Sequence, residues 1–252
     1  MAQDLLDALW QLHQNPGNGP SVQLLDADIG FDEGQAIQLR LLQRWLDQGE
    51  ALGGWKIGMT SGTSRNAMGD GIRPFGFVLE DRIRSNHDQL RLASLYNGGI
   101  ENELCLIVGS EMGAGTTPAS AREGIAAIAP GFEINQRRLP ADASAGLRVA
   151  DDLSNWGILA GTPVEIPERL DDLVVTLYGD GKEIGRVASA GHIDDHFESI
   201  ATLANRLAQF GQALQPGQRV ITGAYARTPF ATGKFHGDFG QAIGTVHLEI
   251  TS

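Results

Sequence analysis

The stretch Ile100-Glu101-Asn102-Glu103-Leu104-Cys105-Leu106-Ile107-Val108 decides how the chain is read. Its branched and apolar residues predict a strand. On a strand, residues i and i+2 share a face about 7 Å apart, so Glu101 and Glu103 stand side by side. Two parallel carboxylates repel unless they are solvated, share a proton or hold a cation. Beside so apolar a run solvent is scarce. A hard divalent ion such as Mg²⁺, which takes oxygen ligands and keeps waters for a substrate to replace, resolves the repulsion. Acids alternating along a strand are by default its solvated face, and spacing alone leaves both readings open. Glu133, in Gly131-Phe132-Glu133-Ile134, is a third acid in an apolar strand context. Lys56 lies between Trp55 and Ile57 with glycines on both sides. It reads equally as a partly buried, anion-holding lysine or as a lysine guarding a sheet edge.

Outward from this core the pattern is helical before residue 50 and mostly extended after it. Leu5, Leu6, Leu9 and Trp10 recur at helical spacing until Asn15-Pro16-Gly17; a second helix is predicted over 33–48, with Gly49 as its cap. Strands are predicted at 54–58, 75–79, 100–108, 132–134, 219–222 and 244–250. Residues 172–178 and 183–188 form a hairpin across Gly179-Asp180-Gly181-Lys182. Ser120 and Glu123, at capping-box spacing, predict a short helix running into Ile125, Ala126 and Ile128. Residues 197–210 predict an amphipathic helix. The expected architecture is α+β: a helical N-terminal region, 1–70, and a β-rich catalytic body, 71–252, in one compact unit.

The chain has 252 residues with 19 Lys+Arg against 31 Asp+Glu, a formal charge of −12. That balance disfavours nucleic-acid binding, which needs a basic face, and docking on anionic membranes. A single cysteine, Cys105, excludes an intrachain disulfide and points to a reducing, cytoplasmic compartment. The acidic N-terminus does not read as a secretory signal. His192 and His196 sit at i, i+4, but without the glutamate that follows the first histidine in zinc motifs they read as a loop or helix start.

The order Gly-Trp-Lys-Ile-Gly (54–58), Phe-Gly (75–76), Ile-Glu-Asn-Glu-Leu (100–104), Pro-Gly-Phe-Glu-Ile (130–134) resembles the 2-keto-4-pentenoate hydratase group of the fumarylacetoacetate hydrolase superfamily. Asp151 to Gly161, Leu203 to Leu207 and Gln218 to Gly223 extend the resemblance over nearly the whole chain. It implies a mixed β-roll and a divalent ion, Mg²⁺ or Mn²⁺, held by Glu101, Glu103 and Glu133. It also implies an active-site Lys56, Ser154 near the substrate, and homo-oligomers. The implied substrates are small 2-oxo or 2-hydroxydienoic acids from aromatic-ring degradation. Hydration of a 2-hydroxypenta-2,4-dienoate-like acid to a 4-hydroxy-2-oxo acid is the first expectation and decarboxylation of a 2-oxo acid the second. Carbon–carbon bond hydrolysis and metal-bearing binding without catalysis follow.

The departures from the family pattern cluster. Arg73-Pro74 stand where an acid usually precedes Phe-Gly, which leaves Asp70 as the candidate proton-transfer group. Asp152, Leu153, Asn155 and Trp156 replace Asn, Ala, Ser and Gly, and His196-Phe197-Glu198 replace a Pro-Leu-Asn stretch. On this reading Trp156, Asn155 and Phe75 line the substrate cavity and alter its shape.

Overall fold

A computed structural model describes residues 2–252. In chain order the elements are α1 (Ala2–Gln14), α2 (Val22–Leu25), α3 (Phe31–Asp47), β1 (Leu52–Ile57), β2 (Phe75–Leu79), β3 (Ile83–Ser85), β4 (Gln89–Arg91) and β5 (Gly98–Val108). They continue with α4 (Pro118–Gly124), β6 (Ile125–Gln136), α5 (Ala145–Ala150), β7 (Asn155–Ala160), β8 (Val174–Gly179), β9 (Lys182–Ala188), α6 (His196–Ala208), β10 (Arg219–Pro229), β11 (Gly233–Asp238) and β12 (Thr245–Thr251). No described helix is long and apolar enough to cross a membrane.

Seven strands form the main sheet, in the order β2-β1-β10-β5-β6-β7-β3, and five form a second, β4-β12-β11-β8-β9. Strand alternation sorts the main sheet into two faces. Ile100, Leu104, Leu106, Phe132 and Ile134 point to one of them. They share a continuous core with Val175, Leu177, Phe235 and Leu248 of the second sheet and with Ile200, Leu203 and Leu207 of α6. The other face closes on itself, because β2 approaches β7 across the curl of the sheet. Val78, Cys105, Ala129, Ile158 and Ile221 fill the inside of this roll as a small apolar plug. Glu101, Glu103, Glu133 and Lys56 share strand parity with that plug.

The structure corrects the sequence reading at several points. The helix after residue 117 is capped by Thr117, whose side chain accepts the Ser120 N–H, and it stops at Gly124. Ile125, Ala126 and Ile128 instead begin β6, where ladder pairing to β5 overrides their helical spacing. The boundary at residue 70 does not hold, because β1 pairs antiparallel with β2 and parallel with β10 at the centre of the main sheet. The helical region therefore ends before Leu52. β7 and β11 are strands that glycines obscured. Gly157 abuts the Arg82 main chain, and Gly237 abuts Phe239 and Val246.

Candidate active site

The site lies at the mouth of the roll, above the apolar plug. Glu101 is paired with Glu133 across β5 and β6, and Glu103 lies two residues along β5 on the same face. One carboxylate oxygen from each of the three lies within 4.8 Å of the other two. Glu103 and Glu133 are buried, and Glu101 is half-buried.

The neighbouring strand is shaped around these acids. β10 departs from its register with β5 on both sides of the Ala224–Glu103 pair. That irregularity turns the Gly223 N–H towards Glu103 Oε2, at 2.7 Å. Gly223 has φ +140°, and a Cβ there would lie 2.6 Å from Thr60 Oγ1, so a side chain is excluded twice over. Arg227, opposite Glu101 on β10, sends its guanidinium to that carboxylate at 3.4 Å.

Lys56 reaches the cluster from β1. Its ammonium pairs with Glu133 and lies 3.5 Å from the Leu153 carbonyl. The Phe-Gly dipeptide now has a physical reason. Phe75 is fully buried against Trp55 and Phe210, and Gly76 leaves room for the lysine stem, which a Cβ would meet at 2.9 Å. Burial pulls the Lys56 pKa down, but Glu133 above all, then Glu103 and Glu101, hold it above its ordinary value. Lys56 is therefore an ammonium. Burial, with Glu133 next, raises the Glu101 pKa against the pull of Arg227. Burial, then Glu133 and Glu101, raises that of Glu103 well above the usual carboxylate range.

This donor set fits a hard dication. Three converging carboxylates set against the Lys56 ammonium and the exposed Arg227 guanidinium leave one negative charge. Burial makes that excess costly unless a cation joins it. All the donors are oxygen, the preference of Mg²⁺, Mn²⁺ or Ca²⁺. Glu101, Glu103 and Glu133 would hold such an ion.

Ser154 arrives by an unusual turn. Asp152, Leu153 and Ser154 have φ of 58°, 52° and 64°, three successive non-glycine residues in the left-handed region. Each costs about 1–2 kcal/mol there, so neighbours must hold the turn. Asp152 Oδ1 accepts the Phe77 N–H at 2.8 Å. The guanidinium of Arg138 spans the turn, donating to the carbonyls of Asp151 (2.8 Å) and Asn155 (3.1 Å) and to the Asp151 carboxylate (2.8 Å). His13 of α1 reaches the same Asp151 oxygen at 3.1 Å. Burial first, then Arg138, pushes the His13 pKa down to about 4, so its neutral ring donates through Nε2.

A cavity of about 280 Å³ joins these groups. Lys56, Ser154, Glu101, Glu103 and Glu133 line it together. The other four expected site residues do not. Asp70 is exposed on a loop where it accepts a hydrogen bond from Asn66, so it does not stand in for the missing acid. Phe75 belongs to the core. Asn155 is buried, with its amide donating to the Phe77 carbonyl to tie β7 to β2. Trp156 turns outward and stacks on Arg82, which also covers Trp45. The bulk that was expected to reshape the cavity instead clamps β7 to α3.

The sequence reading missed Thr60, Ser61, Arg137, Arg148, Gly223 and Arg227 among the lining residues. The polar run Met59-Thr60-Ser61 directly after the Lys56 strand was a usable signal. The arginines carried none, because pairing decides their role. His192 and His196 do not form a metal pair. His192 Nε2 contacts the Ala224 carbonyl, and His196 is buried between Thr222 (2.7 Å) and Tyr225 (3.2 Å).

No family model matches the chain. A 4-oxalocrotonate decarboxylase from a Pseudomonas species is 26% identical over 79% of this chain and 78% of its own length. A 2-keto-4-pentenoate hydratase from Paraburkholderia xenovorans is 26% identical over 86% of this chain and 84% of its own length. Among solved structures, 4-oxalocrotonate decarboxylase from Pseudomonas putida G7, complexed with magnesium and adipate, superposes with a TM-score of 0.89 at 20% identity. That match covers 99% of this chain and 98% of the other. The roll with a carboxylate-lined mouth is the fold of the fumarylacetoacetate hydrolase superfamily. The curated relatives it resembles are named as 2-keto-4-pentenoate hydratases and a 4-oxalocrotonate decarboxylase.

Proposed function

We propose that the chain is a divalent-metal-dependent lyase acting on a small 2-hydroxydienoate or 2-oxo-enoate. The reaction is hydration of a 2-hydroxypenta-2,4-dienoate-like acid to a 4-hydroxy-2-oxo acid. The observation that carries this reading is the convergence of Glu101, Glu103, Glu133 and Lys56 in one cavity. A dication held by the three carboxylates, with Mg²⁺ or Mn²⁺ the best matched, supplies Lewis-acid stabilisation of the charge that develops on a substrate 2-oxygen.

The protein's own groups do the rest. Lys56, kept protonated by Glu133, donates a hydrogen bond at the substrate, or a proton that it regains from the water that adds. Such a positioned acid contributes about 10²–10⁴ in rate. Leu153, through its carbonyl, fixes the ammonium's direction. Ser154, Thr60 and Ser61 offer hydroxyls along the wall to orient substrate or water. The apolar plug below closes the roll to solvent, which strengthens each of these interactions.

Decarboxylation of a 2-oxo acid is the second reading. It uses the same stabilisation of negative charge at the 2-oxygen, and a decarboxylase is among the relatives. A hydrolase, whose acid–histidine pair would come from a mobile segment, is disfavoured. No histidine lies between Lys56 and Gly76, and Asp70, the one acid there, points away. The test is turnover by Mg²⁺-loaded protein of a panel of 2-hydroxydienoates and 2-oxo diacids. Loss of dienol absorbance without CO₂, corrected for ketonisation, supports hydration. Release of CO₂ supports decarboxylation. Binding without turnover of any substrate removes the lyase reading.

A further inference from the structure

Strand β10 twice sets two residues against one of β5. Ile221 pairs with Cys105, Ala224 with Glu103 and Arg227 with Glu101. Thr222 and Gly223 therefore stand opposite Leu104, and Tyr225 and Ala226 opposite Asn102. Each is a bulge, which re-aims the side chains that follow it. Had the ladder run on evenly from the Ile221–Cys105 pair, Tyr225 would face Glu101. One bulge would bring Ala226 there, and only two bring Arg227. The bulges thus decide which side chain meets this carboxylate.

Each bulge is held by a side chain of β5. In the first, Glu103 Oε2 accepts the Gly223 N–H. In the second, Asn102 Oδ1 accepts the Ala226 N–H at 2.7 Å. Asn102 is fully buried, on the face of β5 that Ile100 and Leu104 turn to the core and away from the acids. Its amide nitrogen has no acceptor among the described residues. An unpaired buried donor is costly, and a leucine would fill this apolar position without that cost. The amide's one partner is the bulge. Tyr225 fits the same register. Its ring meets Phe239 edge-on and its hydroxyl meets Ser189 (3.1 Å) and His196 (3.2 Å), so it is committed to the core rather than to the site.

The residue delivered to Glu101 is a cation. The Arg227 guanidinium is exposed at the rim, 3.4 Å from the carboxylate. Against the raising effect of burial and Glu133, Arg227 pulls the Glu101 pKa down most, ahead of Lys56 and Arg137. A guanidinium so placed offsets charge that would otherwise attract a dication, and it repels the dication directly.

We infer that Asn102 is a positioning residue: by pinning the second bulge it sets Arg227 against Glu101 as a cation that competes with the bound dication, so that the ion is held less tightly than the three acids alone would hold it. This rests on the three-carboxylate ion site of the lyase reading and extends it to how firmly the ion is kept.

Calorimetric titration of chelator-stripped protein with Mg²⁺ tests it without turnover. R227Q is expected to bind Mg²⁺ about three- to tenfold more tightly than wild type, the effect of removing one partly screened charge near the ion, and added salt should narrow the gap. N102L is expected to tighten binding in the same direction, and N102L/R227Q to bind no more tightly than R227Q alone. A merely damaged site binds the ion more weakly, so tighter binding by N102L marks the release of Arg227. Where N102L does not fold, N102A removes the same acceptor without added bulk and carries the measurement. Unchanged or weaker binding by R227Q overturns the competing cation. Unchanged or weaker binding by the Asn102 variant, or gains that multiply in the double variant, overturn the positioning role. Either result keeps the lyase reading as long as wild type binds Mg²⁺. Wild type that binds no divalent ion removes the ion site and this inference with it.

Discussion

At the scale of single residues, the same chemical group acquires different meanings from its surroundings. Glu103 is buried, close to two other carboxylates and held by one backbone N–H. Glu103→Ala should therefore weaken divalent-ion binding by more than about a hundredfold, since even outer-shell partners of metal ligands are worth about 10–100-fold. It should also abolish turnover. Unchanged affinity by calorimetry would falsify the ligand role. Trp156 behaves otherwise. Because it packs outward on Arg82 and the core, Trp156→Gly should leave substrate range alone and cost stability, about 2–3 kcal/mol for a half-buried aromatic exchanged for glycine in a strand. Urea unfolding alongside a substrate panel separates the outcomes; a broadened panel with intact stability would restore the pocket-lining role.

At the scale of elements, the left-handed turn at 152–154 depends on a strut from elsewhere. Arg138→Met would strand two carbonyls and leave the buried Asp151 with His13 alone. The expected cost is about 3–5 kcal/mol, measured by chemical denaturation, with kcat falling as Ser154 loses its position. Full activity in a folded R138M protein would show that the turn holds itself. This level was also the hardest to read in the sequence. The acids on β5 were legible as a pair because period-2 spacing fixes their face; Lys56 was placed in the site by the family resemblance, since its flanking glycines left an edge-guarding role equally open. Residues 151–156 were misread because a run of three left-handed residues contains no glycine to announce it. Asn155 and Trp156 thus pointed away from where adjacency to Ser154 suggested. Arg148 carried no signal, because α5 itself was not predicted and only the fold brings it to the cavity.

At the scale of the whole molecule, two buried histidines tie stability to pH. Burial pushes His13 down to about 4, and His196 to about 4. A folded pKa below the unfolded value of about 6.5 means that the unfolded chain takes up protons first as pH falls. Their contribution is thus intact above about pH 6.5 and is lost progressively as pH drops towards 4. It amounts to about 3 kcal/mol for each at 1.36 kcal/mol per unit. Because the raised carboxyls of Glu101, Glu103 and Asp152 act in the opposite sense over this window, the histidine part is read as a difference: the urea midpoint of His196→Asn should gain on wild type as pH falls from about 7 to about 4.5, and a constant difference would contradict the His196 assignment. His13 gives the N-terminal region a further meaning. Through Asp151, α1 is braced against the turn that borders the site, so the helices at the front of the chain support the catalytic mouth.

The plug inside the roll has a practical corollary. Cys105 is fully enclosed there, and burial lifts its thiol to about 12, so thiolate chemistry is suppressed in the native state. A thiol-directed dye can attack only when the roll springs open. The chain thus carries its own stopwatch for global opening. The labelling rate of this lone sulfur under native conditions reports how often the barrel breathes, with no probe engineered in.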